Sequence, residues 1–112
     1  MAIDLENVHA MYNYGDNLLN GIGVQINKKE AAKYFKMAAD KGNVDAMINY
    51  GIMLEKGHGI PIDKNEAAKN IKLAADNGNS IAMNYYALMM EKGDGIPIDY
   101  KESSKYFKMA IE

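Results

Sequence analysis

The side chains best suited to acid–base or metal chemistry in this sequence are two histidines and several carboxylates spaced three residues apart. His9 and His58 are the only histidines, and neither has a second ligand or an acid at a spacing that recurs along the chain. Asp63 and Glu66 could act as paired carboxylates in general acid–base catalysis. The same spacing is typical of a capping box at the start of a helix, which explains the pair more simply. The sequence therefore predicts no catalytic residues.

Two glycine-rich segments, GHGIP at 57–61 and GDGIP at 93–97, precede helical patterns and invite comparison with a phosphate-binding loop. No G-K-[S/T] follows either segment and no strand pattern precedes them, which argues against phosphate binding. The chain has no cysteine, which excludes disulfides and zinc sites built on thiolates. We therefore expect no cofactor, no metal ion and no enzymatic activity.

The charge balance offers little attraction for nucleic acid or an anionic membrane. Thirteen basic residues, all lysine, stand against fifteen acidic residues and give a formal net charge of −2. The absence of arginine removes the side chain best suited to bidentate recognition of phosphates and bases. The N-terminal segment carries Asp4 and Glu6 rather than an apolar run, and no stretch approaches the roughly 20 apolar residues of a membrane-spanning helix. The sequence predicts no nucleic-acid or membrane partner and a cytoplasmic location.

An internal repeat sets the positions of all these residues. The segment EKGHGIPIDKNEAAK at 55–69 returns as EKGDGIPIDYKESSK at 91–105, which is 36 residues later. Three copies align in this register, at residues 7–42, 43–78 and 79–112. Units of this length bury their apolar faces only by stacking on one another. We therefore expect one domain that spans residues 1–112.

Each copy has the pattern of a helical hairpin. In the second copy Asn43 is a good N-cap for a first helix, called helix A, whose apolar residues recur at helical spacing. The elbow that follows is rich in glycine and proline and cannot continue the helix. A second helix, called helix B, begins after Asp63, where Glu66 can complete a capping box, and ends at Gly78, a typical C′ residue. Small residues such as Gly51 allow the helices to approach closely. The sequence thus predicts an all-α solenoid of three helix-turn-helix repeats.

The order AMxxYG, GxGIPID and EAAKxxKLAADxG, with its period of 36, resembles the Sel1-like repeat (SLR), a relative of the tetratricopeptide repeat. The resemblance covers residues 7–112. It implies an α–α superhelix that serves as a scaffold or adaptor for proteins or peptides. In the third copy Ala87 replaces a glycine, and Ser103 and Ser104 replace an alanine pair, so we expect that copy to pack less typically.

By analogy with the tetratricopeptide superhelix, the outward side of helix A, here called the helix A face, lines a concave surface for a partner. Apolar residues occupy several positions on this face where polar residues would suit water, so we predict a groove for an extended or helical segment of another protein. The alternative is that neighbouring helices simply cover those side chains. The predicted partner-binding residues are Tyr12, Asp16, Asp45, Ile48, Ile52, Glu55, Ile81, Asn84, Leu88 and Glu91.

The two ends of the solenoid give a second hypothesis. Natural arrays close their ends with polar capping helices, whereas this sequence stops within the last helix B. Self-association, end to end or as a dimer, would then involve Leu5, Val8, Met109 and Ile111, and the chain could equally be an excerpt of a longer array. A groove predicts a monomer that binds a peptide. Self-association predicts a mass that rises with protein concentration.

Overall fold

Six α-helices joined by short elbows make up residues 4–112, the part of the chain that the computed structural model describes. They are α1 (Leu5–Asn20), α2 (Lys28–Asp40), α3 (Val44–Lys56), α4 (Lys64–Asp76), α5 (Ser80–Lys92) and α6 (Tyr100–Ile111). The A helices are α1, α3 and α5, and the B helices are α2, α4 and α6. Each helix packs mainly against the helices that precede and follow it in the chain. The predicted all-α solenoid of three helix-turn-helix repeats is confirmed.

The A helices begin at asparagine caps in two repeats and at an aspartate in the first. The side chains of Asn43 and Asn79 accept hydrogen bonds from the backbone amides three residues further on, at 2.8 and 2.9 Å. The equivalent residue of the first repeat is Asn7, but α1 does not begin there. It begins at Leu5 instead, because the Asp4 carboxylate accepts the backbone amide of Asn7 and caps the helix three residues earlier.

Only one of the two hydrogen bonds of the predicted capping box forms at the start of each B helix. The Asp63 carboxylate accepts the backbone amide of Glu66 at 3.0 Å, as the pattern predicts. The reciprocal bond, from the backbone amide of Asp63 to the Glu66 carboxylate, does not form. That amide donates instead to the Leu54 carbonyl of α3 at 2.9 Å. The cap therefore fixes the start of helix B and also ties it to the helix A of its own repeat.

Each elbow turns on two glycines with positive φ. In the second repeat Gly57 (φ 70°) ends α3 and Gly59 follows with φ 79°, a region that favours glycine. Ile62 packs over Gly57, where an added Cβ would lie 2.7 Å from the Ile62 Cγ1. Gly59 lies against α2 of the preceding repeat, and an added Cβ there would lie 2.6 Å from the Lys28 Cβ. The elbow thus connects the two helices of its own repeat and packs against the B helix of the preceding repeat.

A close approach of two backbones holds each hairpin together. A Cβ added at Gly51 of α3 would lie 2.8 Å from the Ile71 Cδ1 and 3.2 Å from the Ala67 carbonyl oxygen of α4. In the third repeat Ala87 stands in place of this glycine and Ser103 in place of Ala67. Ser103 is only 1% exposed, and its hydroxyl donates to the Ala87 carbonyl at 2.9 Å. The buried serine of the third repeat is therefore paired.

Candidate interaction surface

Accessible apolar side chains on the helix A face are concentrated in the third repeat. Ile81 is 68% exposed and Leu88 is 37% exposed, and both lie on α5, seven residues apart. Asn84 and Glu91, the other two residues predicted in this repeat, are also exposed. Positions spaced three, seven and ten residues apart share one side of a helix. All four side chains are therefore accessible on the same side of α5.

The same positions in the first two repeats are more covered. Asp45 is exposed, whereas the partly buried residues are Tyr12, Asp16, Ile52 and Glu55. Ile48 is only 8% exposed and belongs to the hydrophobic core. The prediction that Ile48 is an accessible apolar contact is therefore wrong, because neighbouring helices cover its side chain. The helical period alone did not distinguish Ile48 from Ile81.

A hydrogen bond ties the first two A helices together on this face. The Asn49 side-chain amide donates to the Tyr12 hydroxyl oxygen at 3.3 Å, and the Tyr12 ring packs 5.6 Å from the Phe35 ring, centroid to centroid. Burial raises the pKa of the Tyr12 hydroxyl, so this group stays protonated near neutral pH. This part of the face connects two repeats and offers little free apolar surface.

A polar cluster connects the second and third repeats. The Tyr85 hydroxyl of α5 donates to the Glu55 carboxylate of α3. Asp94, in the third elbow, forms an ion pair of 2.8 Å with Lys64 at the start of α4. Together with Leu88, Glu55, Tyr85 and Asp94 line a pocket of about 230 Å³. Sequence reasoning missed Tyr85, Lys64 and Asp94, because partners 30 residues apart become visible only when the offset between repeats is known.

The pKa values in this cluster follow from burial and from the close carboxylates. Burial raises the pKa of Glu55, and hydrogen bonding to Asp94 raises it further. The same hydrogen bond and the Lys64 ammonium lower the pKa of Asp94. Burial and the bond to Glu55 also raise the pKa of Tyr85. A proton is therefore held more tightly by Glu55 than by Asp94, and the four groups satisfy one another as a junction between repeats.

The residues predicted for self-association fall into two groups. Leu5, Met109 and Ile111 are exposed, at 66%, 39% and 86%. Val8 is only 3% exposed and packs in the core. The prediction that Val8 is available for a contact is therefore wrong, because α1 turns this position inward.

The helix A face and the C-terminal end of the solenoid form one continuous surface. Ile81 and Asn84 of α5 share a pocket of about 420 Å³ with Phe107, Ala110 and Ile111 of α6. The sequence analysis predicted two separate surfaces, the helix A face for a partner and the ends of the solenoid for self-association. The repeat alignment does contain a signal, since Phe107 occupies the position of a core residue in the other two copies.

Neither a metal-binding cluster nor a membrane-spanning helix is present among residues 4–112. Within residues 4–112 no three histidine, aspartate or glutamate side chains lie close enough to hold a metal ion. None of the six described helices combines the length and the apolar character needed to span a membrane. The accessible features of the helix A face are apolar side chains bordered by carboxylates.

The solved structures that align with this chain include the following three proteins. A protective antigen of uropathogenic Escherichia coli that displays an SLR fold gives a TM-score of 0.91 and 32% identity, over 93% of this chain and 22% of its own. A Sel1 repeat protein from Oxalobacter formigenes gives a TM-score of 0.90 and 29% identity, over 95% of this chain and 44% of its own. Helicobacter pylori cysteine rich protein B gives a TM-score of 0.77 and 18% identity, over 96% of this chain and 83% of its own. This likeness shows the fold alone. The chain thus spans less than half the length of the first two.

Comparison with curated proteins gives no match. The family model of the Sel1 repeat matches three consecutive segments, at residues 8–43, 44–79 and 80–112. Each matched segment begins one residue after the corresponding predicted copy and covers one A–B hairpin, apart from the first three residues of α1. Because these matches cover nearly all of the sequence, the chain belongs to the Sel1 repeat family.

Proposed function

We propose that this chain is a protein-interaction scaffold that binds a peptide segment of a partner through the helix A face, centred on the third repeat. Sel1 repeat proteins are generally protein-interaction scaffolds and typically non-catalytic. The observation that carries the proposal is the pair of accessible apolar side chains Ile81 and Leu88 on one side of α5. Two such anchors, seven residues apart on a helix, are about 10 Å apart along its axis.

The charges around these anchors favour a partner of particular chemistry. Asp45 and Glu91 are exposed on the helix A face and Asp16 is partly exposed, and the predicted face contains no lysine. A partner segment with apolar residues at i and i+7 of a helix, flanked by lysine or arginine, complements both the spacing and the charge. A polyproline II segment, with three residues per turn and a rise of about 3.1 Å per residue, places side chains three residues apart on one side at a similar distance.

The proposal is tested by selecting peptides from a random display library on the wild-type chain and measuring their affinity by fluorescence anisotropy. We expect the selected peptides to combine apolar and basic residues. Leu88→Asp should weaken their binding at least tenfold, since it places a charge in the centre of the contact. Leu73→Asp is the matched control, because Leu73 is an exposed leucine on α4, a B helix.

Two results would contradict the proposal. One is equal binding of the selected peptides to wild type and to Leu88→Asp. The other is equal weakening by Leu88→Asp and Leu73→Asp, which would indicate non-specific hydrophobic adsorption. Circular dichroism of both variants establishes that the helices remain folded.

A further inference from the structure

The last B helix exposes the surface that the other two B helices bury. Ile71 of α4 is 0% exposed, whereas the equivalent Phe107 of α6 is partly exposed. Ala75 of α4 is 1% exposed, and the equivalent Ile111 of α6 is 86% exposed. In the second repeat the next A helix, α5, packs on α4. The surface of α6 therefore has the shape and apolar character of a seat for another A helix.

The first A helix exposes the opposite half of such a contact. Ala82 of α5 is 0% exposed, and the equivalent Ala10 of α1 is exposed. Tyr86 of α5 is 8% exposed, whereas the equivalent Tyr14 is 40% exposed. An added Cβ at Gly23 would meet nothing within 4 Å, although the equivalent glycines of the other two elbows lie against the preceding B helix. The uncovered side of α1 thus repeats the side of α5 that contacts α4.

The internal junctions show which residues meet when an A helix packs on a B helix. Between the second and third repeats, Lys64 pairs with Asp94 at 2.8 Å, and Gly95 packs on the Lys64 backbone. On the other side of the junction the Tyr106 hydroxyl donates to the Asp76 carboxylate at 3.0 Å. These contacts fix the register of one repeat on the next.

Extending this register by one repeat pairs the end of one copy with the start of another. Tyr100 takes the place of Lys64, and Ile22 takes the place of Asp94. Both are exposed, at 66% and 55%, so an apolar pair replaces the ion pair. Glu112 takes the place of Asp76 opposite Tyr34, which preserves the pairing of an acid with a tyrosine. Tyr34 also packs edge-on against Tyr14 at 4.9 Å, as Tyr106 does against its neighbour.

From these matched pairs we propose that copies of this chain stack head to tail, with α6 of one copy seated on α1 of the next so that the solenoid continues. The contact joins two different surfaces, and such heterologous contacts extend into open oligomers unless the rotation closes a ring. The occupant of both ends is a second copy, because the residues at one end are complementary to the residues at the other. This contact does not use Leu88, although α6 shares a pocket with Ile81 and Asn84 of the helix A face.

The experiment measures solution mass by light scattering and sedimentation across a hundredfold range of protein concentration. We expect the wild-type mass to rise with concentration. Ile22→Asp and Tyr100→Lys should each weaken association at least tenfold, since each sets a charge against an apolar side chain. An equimolar mixture of the two variants should associate again, because one of its junctions then reproduces the Lys64–Asp94 pair and the other is native.

The double variant should associate in a salt-dependent manner, because an exposed ion pair is screened by salt. The matched control is Ile26→Asp. Ile26 is 57% exposed, and the equivalent Ile62 and Ile98 stay exposed within the array, at 61% and 54%, so water still reaches this position when one repeat packs on another. Ile26→Asp should leave association unchanged.

Three results would overturn the inference. They are a constant monomer mass, association that both single variants leave unchanged, and a mixture of the two variants that fails to associate. The first would leave the ends available to other proteins. The second would place the contact elsewhere, and the third would exclude the proposed register. Because Leu88→Asp affects peptide binding alone, failure of one proposal is distinguishable from failure of the other.

Discussion

At the scale of single residues, the two internal junctions use different side chains at equivalent positions. The second junction contains Glu55 and Asp94, and the first contains Leu19 and His58 at the same positions. Equivalent positions therefore hold an acid cluster at one junction, and a partly buried leucine and an exposed histidine at the other. The acid cluster carries an electrostatic cost, because burial and Asp94 both disfavour the charged form of Glu55.

This cost predicts a dependence of stability on pH. The folded-state pKa of Glu55 is raised above its unfolded value of about 4.3, so the folded state loses stability as pH rises through the raised value. Asp94 acts in the opposite sense, since its lowered pKa stabilises the fold above about pH 4 and this contribution is lost on acidification. Glu55→Gln keeps an acceptor for Tyr85 and removes the charge. It should therefore raise the free energy of unfolding at pH 7 by up to about 1 kcal/mol.

Urea denaturation at pH 7 and at pH 4 measures this effect. At pH 4 Glu55 is largely protonated in the folded protein, so the difference between wild type and Glu55→Gln should disappear. Glu91→Gln is the control, because Glu91 occupies the equivalent position of the third repeat and is exposed; it should change little at either pH. A loss of stability in Glu55→Gln at pH 7 would mean that the charged form contributes favourably.

At the scale of elements, the elbows hold the repeats in register. Gly23 and Gly59 are equivalent and have nearly the same φ, 72° and 79°. Their surroundings differ, since a Cβ added at Gly59 would meet Lys28 whereas one added at Gly23 would meet nothing within 4 Å. Substituting Gly23 and Gly59 separately therefore distinguishes two contributions to the loss of stability. One is the strain of a left-handed backbone, and the other is the loss of packing between repeats.

Gly23→Ala should destabilise the chain by about 1 kcal/mol, the strain of alanine at positive φ. Gly59→Ala should cost roughly 1–3 kcal/mol more, because the new methyl group pushes the second repeat away from α2. Thermal and urea denaturation of both variants, at protein concentrations where the chain is monomeric, give the comparison. Equal losses in the two variants would show that the Gly59 contact contributes nothing to the junction.

Most of the helical elements were predictable because their signals are local. Asparagine caps, C′ glycines and the D-x-x-E pattern lie within a few residues of the helix ends that they define. The start of α1 does not follow from the repeat register, since Asp4 and Asn7 are both competent caps and Asp4 is the one that α1 uses. Val8 and Ile48 were predicted to be accessible and are buried, and the Tyr85–Glu55 bond was missed. These depend on where the neighbouring repeat lies, which the helical period does not contain.

At the scale of the whole molecule, the solenoid is a row of similar layers. Each helix packs mainly on its neighbours in the chain, so the stability is close to a sum of repeat and junction terms. The second repeat contributes to both internal junctions, whereas the third contributes to one. Equivalent substitutions in these two repeats should therefore have unequal costs.

Ile71 and Phe107 occupy equivalent positions in the second and third repeats and allow a direct comparison. Ile71 is 0% exposed, so Ile71→Ala should cost about 2–5 kcal/mol as a core truncation. Phe107 is the larger side chain but is partly exposed at the end of the solenoid, so Phe107→Ala should cost less, roughly 1–2 kcal/mol. Urea denaturation of the monomer measures both, and amide hydrogen exchange should show the lower protection in α6. A larger loss for Phe107→Ala would mean that side-chain size, rather than position in the row, sets the stability of each layer.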